Sequence, residues 1–114
     1  MLPTLYNYGS WLRGDTVSER TFTLNRVVDG VTTPLDLSTA TIRCEFRLDT
    51  TRKMLFTIGS GIDNSNAAIG EFTIEKFNAQ WVGLYRYDIE ITFADGTIRT
   101  YIYGTLDIQN DATI

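Results

Sequence analysis

The chain has 114 residues, of which 43% are hydrophobic and 21% are charged, the proportions of an ordinary globular protein. Its net charge of −4 disfavours binding to a nucleic-acid backbone. With no histidine and a single cysteine, Cys44, the chain has no internal disulfide and lacks the common Cys/His zinc sites. No apolar run approaches the roughly 20 residues that span a bilayer, and the first residues do not resemble a signal peptide. We therefore expect one folded domain over residues 1–114, with neither nucleic-acid nor membrane partners.

Residues 1–12 carry many large apolar side chains, but Pro3 and Gly9 make their pattern too irregular for a helix. Two interpretations stay open for this segment. It forms a first strand that packs on the domain's own core, or it is an aromatic-rich arm that docks on a neighbouring subunit. The second interpretation makes four residues candidates for partner binding: Leu5, Tyr6, Tyr8 and Trp11.

Alternation of apolar and polar residues predicts the strands of the central region. Residues 17–27 form a strand that ends at Asp29-Gly30, and residues 40–48 form a core strand with Cys44 on its apolar face. There the thiol behaves as a small hydrophobic group rather than a reactive one. Residues 53–58 and 71–75 are further strands, residues 59–66 a long surface loop and residues 76–81 a single helical turn.

Residues 83–108 read as two long strands joined by a tight turn at Asp95-Gly96. A two-residue Asp-Gly loop is typical of a type I′ turn, which fixes the register of the strands. On the inner face it predicts the pairs Tyr85/Leu106, Tyr87/Gly104, Ile89/Ile102, Ile91/Thr100 and Phe93/Ile98. On the outer face it predicts the pairs Arg86/Thr105, Asp88/Tyr103, Glu90/Tyr101 and Thr92/Arg99.

The titratable residues do not form a recognisable catalytic set. Asp88 and Glu90 share a strand face, but a solvated face is a commoner outcome than a glycosidase pair. No histidine is present to activate a nucleophile, and no glycine-framed serine lies beside a lysine. We therefore expect a protein without catalytic, cofactor or metal sites. Tyr101 and Tyr103 are the best remaining candidates for partner binding, although such cross-strand pairs also simply stabilise sheets.

One motif of this hairpin resembles immunoglobulin-like domains. The run Gly83-Leu84-Tyr85-Arg86-Tyr87 is similar to the Gly-x-Tyr-x-Cys run that enters strand F of those domains. Tyr85 then stands at the tyrosine-corner position, and Tyr87 stands where the disulfide cysteine would be. The resemblance implies an all-β, immunoglobulin-like antiparallel sandwich of seven to eight strands without a disulfide.

The order of motifs along the chain resembles small β-sandwich proteins of tailed bacteriophages and prophages, including the N-terminal domain of baseplate upper proteins. The motifs are Arg13-Gly14-Asp15-Thr16, residues 34–40, Gly70-Glu71-Phe72, residues 83–88, Asp95-Gly96, Gly104 and Asp111-Ala112-Thr113. This resemblance implies a non-enzymatic virion structural protein that mediates protein–protein contacts in the tail or baseplate, or decorates the capsid. Its partners would be other virion proteins and symmetric or repeated copies of itself, assembled after synthesis in the host cytoplasm. The alternative is a β-sandwich module that binds a host glycan or receptor.

Overall fold

The computed structural model describes residues 3–49 and 51–110, and this part of the chain is all-β. It contains thirteen strands and one short 3₁₀ turn, Ala67–Ile69 (η1), but no α-helix. The strands are β1 Thr4–Leu5, β2 Gly9–Leu12, β3 Thr16–Val17, β4 Arg20–Thr23, β5 Asn25–Val28, β6 Val31–Pro34, β7 Thr41–Leu48, β8 Thr51–Ile58, β9 Gly61–Asp63, β10 Glu71–Ile74, β11 Phe77–Asn78, β12 Gly83–Thr92 and β13 Ile98–Gln109. The all-β, disulfide-free prediction is confirmed, since Cys44 is free and buried.

One mixed sheet contains nine of these strands, in the order β1-β13-β12-β7-β8-β9-β10-β4, with β2 following β1 along the same edge of β13. The pairings of β1 and β2 with β13, and of β8 with β9, are parallel, whereas a purely antiparallel arrangement was expected. The sheet curls until its two ends approach each other. Tyr6 packs edge-on against Phe22 of β4, with the ring centroids 5.4 Å apart.

Aromatic rings fill the centre of the curled sheet. Phe46 of β7 stacks on Tyr87 of β12 at 4.9 Å, and Tyr8 packs edge-on against both rings. The alternation predicted for β7 is present, because Ile42, Cys44 and Phe46 are buried in the core. Burial raises the pKa of the Cys44 thiol far above its ordinary value, in agreement with its predicted role as a small hydrophobic group.

The N-terminal segment pairs with β13 from Ile102 to Gln109. The backbone N–H groups of Tyr6, Tyr8 and Arg13 donate to carbonyl groups of β13 at 2.8–2.9 Å. Gly104 makes this close approach possible, because a β-carbon at that position would overlap the carbonyl group of Tyr6. Residues 4–12 are therefore part of the main sheet in this structure.

The predicted β12–β13 hairpin is present, but its turn is not the type I′ turn that was expected. The N–H of Phe93 donates to the carbonyl of Thr97 at 2.8 Å, so three residues rather than two form the loop. Within that loop only Gly96 has a positive φ, 89°, whereas a type I′ turn needs positive φ at both central residues. The carboxylate of Asp95 accepts a hydrogen bond from the N–H of Thr97 at 2.9 Å and stabilises this alternative.

The additional loop residue changes the register next to the turn. Ile91 pairs with Arg99 and Thr92 with Ile98, so the predicted pairs Ile91/Thr100, Phe93/Ile98 and Thr92/Arg99 are wrong. A β-bulge after Ile89 then compensates for the shift. Beyond the bulge the predicted pairs from Ile89/Ile102 to Tyr85/Leu106 are confirmed, together with Asp88/Tyr103 and Arg86/Thr105.

Tyr101 is the extra residue of the bulge, so its placement also differs from the prediction. Glu90 pairs with Thr100 instead of Tyr101. The ring of Tyr101 packs edge-on against Phe93, 6.4 Å away, and against the core. Tyr101 and Tyr103 therefore do not form a common outer face.

The remaining strands form two small ribbons. Residues 76–81 do not form the predicted helical turn, because β11 pairs there with β3. The single strand predicted over residues 17–27 is divided in two places. β3 ends at Val17 and β4 begins at Arg20, and at Leu24 the backbone N–H donates to the carbonyl of Gly70 instead of continuing one ladder. After this break β5 pairs only with β6, across Asp29 and Gly30. These two residues have φ angles of 51° and 78°, so the type I′ turn lies here.

Candidate protein-interaction surfaces

Three surface features stand out because they combine exposed apolar groups with charge. The first is a cleft on the outer face of the sheet, which we call the tyrosine cleft. Its volume is about 330 Å³, and its lining includes Leu5, Arg47, Arg86, Asp88 and Tyr103. The parallel pairing of β1 with β13 places Leu5 beside Tyr103, whose side chain is 44% exposed. An aromatic face among ionic groups can stack against a planar or sugar-like ligand or a protein side chain.

The ionic groups beside this cleft form a short network around Glu45. The Glu45 side chain, on the outer face of β7, is only 6% exposed and accepts hydrogen bonds from Arg43 at 2.9 Å and from Arg47. Burial raises the pKa of Glu45, but the hydrogen bonds from Arg43 and Arg47 outweigh that effect and hold the pKa below its ordinary value. Arg47 also lies 3.8 Å from Asp88, so its charge is neutralised within the sheet.

Arg86 differs from Arg47 in this respect. The two arginines lie directly opposite each other on β12 and β7. Like charges opposed across a sheet are destabilising, and the described structure gives Arg86 neither an ion pair nor a side-chain hydrogen bond. An exposed guanidinium group in this position is therefore available to an anionic group from outside the chain.

The second feature lies where β12 begins, and we call it the end cleft. Its volume is about 440 Å³, and its lining comprises Leu48, Asp49, Val82, Gly83, Leu84 and Arg86. Val82, Leu84 and the adjacent Trp81 are exposed. Arg86 thus lines both clefts, and in the end cleft its charge stands among apolar groups.

The third feature is the β5–β6 ribbon, which we call the valine hairpin. All ten residues from Asn25 to Pro34 are exposed, and neither strand pairs with any other described strand. Val27, Val28 and Val31 near the turn are 67%, 56% and 60% exposed. Val28 and Val31 pair across the ribbon and form one exposed apolar surface of the kind that marks protein–protein contacts, while Val27 lies on the opposite face beside Thr32.

The valine hairpin and the end cleft lie at opposite ends of β12. Near the base of the valine hairpin, Arg26 shares a shallow cavity with Phe93 and Asp95, which follow the end of β12, and with Tyr101 of β13. The end cleft lies at the start of β12. Ten residues of extended chain separate these ends by about 33 Å, and the whole molecule is 55 Å long.

The six residues that the sequence proposed for partner binding do not form one site. Leu5 and Tyr103 meet at the tyrosine cleft, while Tyr101 packs elsewhere, against Phe93. Tyr8 is buried, and Tyr6 and Trp11 are half-buried against the core. The indole N–H of Trp11 donates to the carbonyl of Tyr8 at 2.9 Å, so this ring is also engaged within the chain.

The valine hairpin and the end cleft were not predicted from the sequence. The available signal for the hairpin was the run of β-branched residues on both sides of Asp29-Gly30, without a buried alternating face. No local signal pointed to the end cleft, because residues far apart in the chain form it.

In the described part of the chain, no cluster of three or more His, Cys, Asp or Glu residues is arranged to hold a metal ion. Residues 3–49 and 51–110 include no helix long and apolar enough to cross a membrane. In comparisons with known proteins, no family model matches this chain, and no curated protein matches it.

Proposed function

We propose that this chain is a non-enzymatic structural protein of a tailed bacteriophage particle, and that it acts by protein–protein contact. The valine hairpin is the observation that carries the proposal. Its three valines lose little conformational entropy when a partner binds, because the type I′ turn and the β5–β6 ladder already fix the ribbon. Covering the exposed part of one valine side chain contributes on the order of 1 kcal/mol, which offsets part of the free-energy cost of association.

The resemblance of the motif order to small phage β-sandwich proteins supports the assignment to a virion. A further detail supports the immunoglobulin-like interpretation of the fold. The Tyr85 hydroxyl donates to the carbonyl of Trp81 at 2.6 Å, which is the backward hydrogen bond of a tyrosine corner. The proposed location is the tail, the baseplate or the capsid surface, with other virion proteins and repeated copies of this chain as partners.

The decisive experiment is mass spectrometry and cryo-electron microscopy of particles that are produced together with this protein. We expect the protein in purified particles, in repeated copies, with the valine hairpin inside a contact. A variant in which residues 25–34 are replaced by a two-residue Asn-Gly turn should stay folded and be lost from the particles. Absence of the intact protein from the particles would contradict the proposal.

The tyrosine cleft favours a second candidate function, the binding of a host glycan or receptor. Tyr103 offers an exposed ring, and Asp88 and Arg86 offer hydrogen-bonding groups at the same cleft. On a glycan array, or with receptor-bearing cells, Tyr103→Ala should abolish binding. Tyr103→Phe keeps the ring and should retain most of it. Equal binding by the intact protein and Tyr103→Ala would exclude this cleft as the site.

A further inference from the structure

We propose that copies of this chain associate head to tail, with the valine hairpin of one copy seated in the end cleft of the next. The inference rests on the proposed function, because it names one contact through which repeated copies would be held together. The occupant of the cleft is a second copy of the chain, because the two surfaces match in apolar groups and in charge and lie at opposite ends of β12.

The apolar groups of the two surfaces complement each other. Val28 and Val31 face each other across the turn of the hairpin and are exposed. The end cleft presents Leu48, Val82 and Leu84. Seating the hairpin in the cleft would remove apolar side chains on both copies from water, which is the main favourable term in association.

The charges of the two surfaces are complementary as well. Asp29 stands at the tip of the hairpin between the valines, and the described structure gives it no ion pair or side-chain hydrogen bond. Arg86 in the end cleft likewise has no ion pair or side-chain hydrogen bond with any described residue. Placing Asp29 of one copy beside Arg86 of the next would relieve the opposition of Arg86 and Arg47 and give a charge-assisted hydrogen bond.

A second opposite-charge pair is available in the same orientation. Arg26 lies three residues before Asp29 on the hairpin, and Asp49 lines the end cleft with Arg86. Each surface therefore carries one positive and one negative group. Since the net charge of −4 makes copies repel each other on average, such local pairing favours this orientation over random contact.

The positions of the two surfaces determine the kind of assembly. The hairpin emerges near the end of β12 and the cleft lies at its start, so one copy presents a different surface at each end of the strand. Such a contact is heterologous and leaves one free hairpin and one free cleft after every addition. It produces rings if the rotation between copies closes, and filaments if it does not.

A charge-reversal experiment tests the contact. Sedimentation velocity over about a hundredfold range of concentration should show association of the intact protein. Asp29→Arg and Arg86→Asp should each weaken association by about tenfold or more, because each places like charges in the contact. An equimolar mixture of the two variants should restore it, since every hairpin then meets a cleft of opposite charge. Glu19→Arg makes the same change of charge as Asp29→Arg, at an exposed position outside both surfaces, and should have no effect.

Several results would overturn the inference. They are a monomeric intact protein at every concentration, unchanged association of the folded single variants, and failure of the mixture to associate. Circular dichroism of each variant establishes that it is folded. If the intact protein is monomeric while excision of the hairpin still removes it from particles, the head-to-tail contact is wrong and the proposed function stands. If it associates as described but is absent from every particle, the contact stands and the virion function fails.

Discussion

Tyr8 and Tyr87 lie side by side in the core, with their ring centroids 5.2 Å apart, but their hydroxyl groups are in different situations. Tyr87 donates a hydrogen bond to the carbonyl of Tyr6 at 2.5 Å. The Tyr8 hydroxyl is buried and has no hydrogen-bond partner among the described residues. Burial is the main cause that raises the pKa of both groups above the ordinary range. A buried hydroxyl without a partner costs about 1–3 kcal/mol, so the two side chains contribute oppositely to stability.

Removing the two hydroxyl groups one at a time should change stability in opposite directions. Tyr8→Phe keeps the ring contacts and removes the unpaired group, so we expect the free energy of unfolding to rise by about 1 kcal/mol. Tyr87→Phe removes the donor to Tyr6 and should lower it by about 1–2 kcal/mol. Urea denaturation at neutral pH measures both values, and a loss of stability in Tyr8→Phe would contradict the prediction.

At the scale of elements, local sequence predicted strands better than it predicted their partners. The alternation in β7 identified its buried face correctly, because every second residue carries the signal. The parallel pairing of β1 and β2 with β13 could not be inferred, since periodicity within a segment contains no information about its neighbour.

The positions of the candidate binding residues could not be predicted from local sequence either. One hydrogen bond, from the N–H of Thr97 to the carboxylate of Asp95, favours a three-residue loop over the two-residue one. The resulting bulge moved Tyr101 away from Tyr103. The prediction that Tyr101 and Tyr103 share the outer face is therefore wrong because of the conformation of a turn several residues away.

The valine hairpin should be dispensable for folding. The N–H of Leu35 donates to the carbonyl of Leu24 at 3.0 Å, so this pair can close a two-residue Asn-Gly turn once residues 25–34 are removed. All the removed residues are exposed. We expect the free energy of unfolding to change by less than about 1 kcal/mol in urea denaturation, and loss of a cooperative transition would contradict this.

Removal of residues 1–12 should have the opposite result. It takes away Tyr8 from the centre of the core and exposes the edge of β13 that β1 and β2 cover. We expect no cooperative unfolding transition in thermal melts followed by circular dichroism. The hairpin excision is the matched control, since it removes a segment of similar length. A truncated protein that melts cooperatively would restore the interpretation of this segment as an arm for a neighbouring subunit.

At the scale of the whole molecule, buried ionisable groups make stability depend on pH on both sides of neutrality. The pKa of Glu45 is lowered in the folded state, so its contribution is present at neutral pH and is lost as the pH falls below 4.5. The pKa values of Cys44, Tyr8 and Tyr87 are raised. Their ionisation therefore favours the unfolded chain once the pH exceeds 9.0 for the thiol and 10.0 for the phenols.

Glu45→Gln tests the acid side of this dependence. The variant should be less stable than the intact protein by about 1 kcal/mol at pH 7, because the charge-assisted bonds from Arg43 and Arg47 become neutral-acceptor bonds. Below about pH 3 the two proteins should converge. Urea denaturation across this pH range measures the difference, with the exposed residue change Glu19→Gln as control. A difference that is constant with pH would contradict the assignment.

The position of β13 between β12 and the N-terminal strands also determines when the sheet can be completed during translation. Thr4 pairs with Ile102, so nearly a hundred residues must be synthesised after the first strand before its partner exists. At ordinary rates of translation this takes about 5–20 s. During that time Tyr6, Tyr8 and Trp11 are without the strand that covers them. The nascent chain therefore emerges with an aromatic-rich segment uncovered, and transiently exposed apolar surface of this kind makes folding intermediates prone to aggregation.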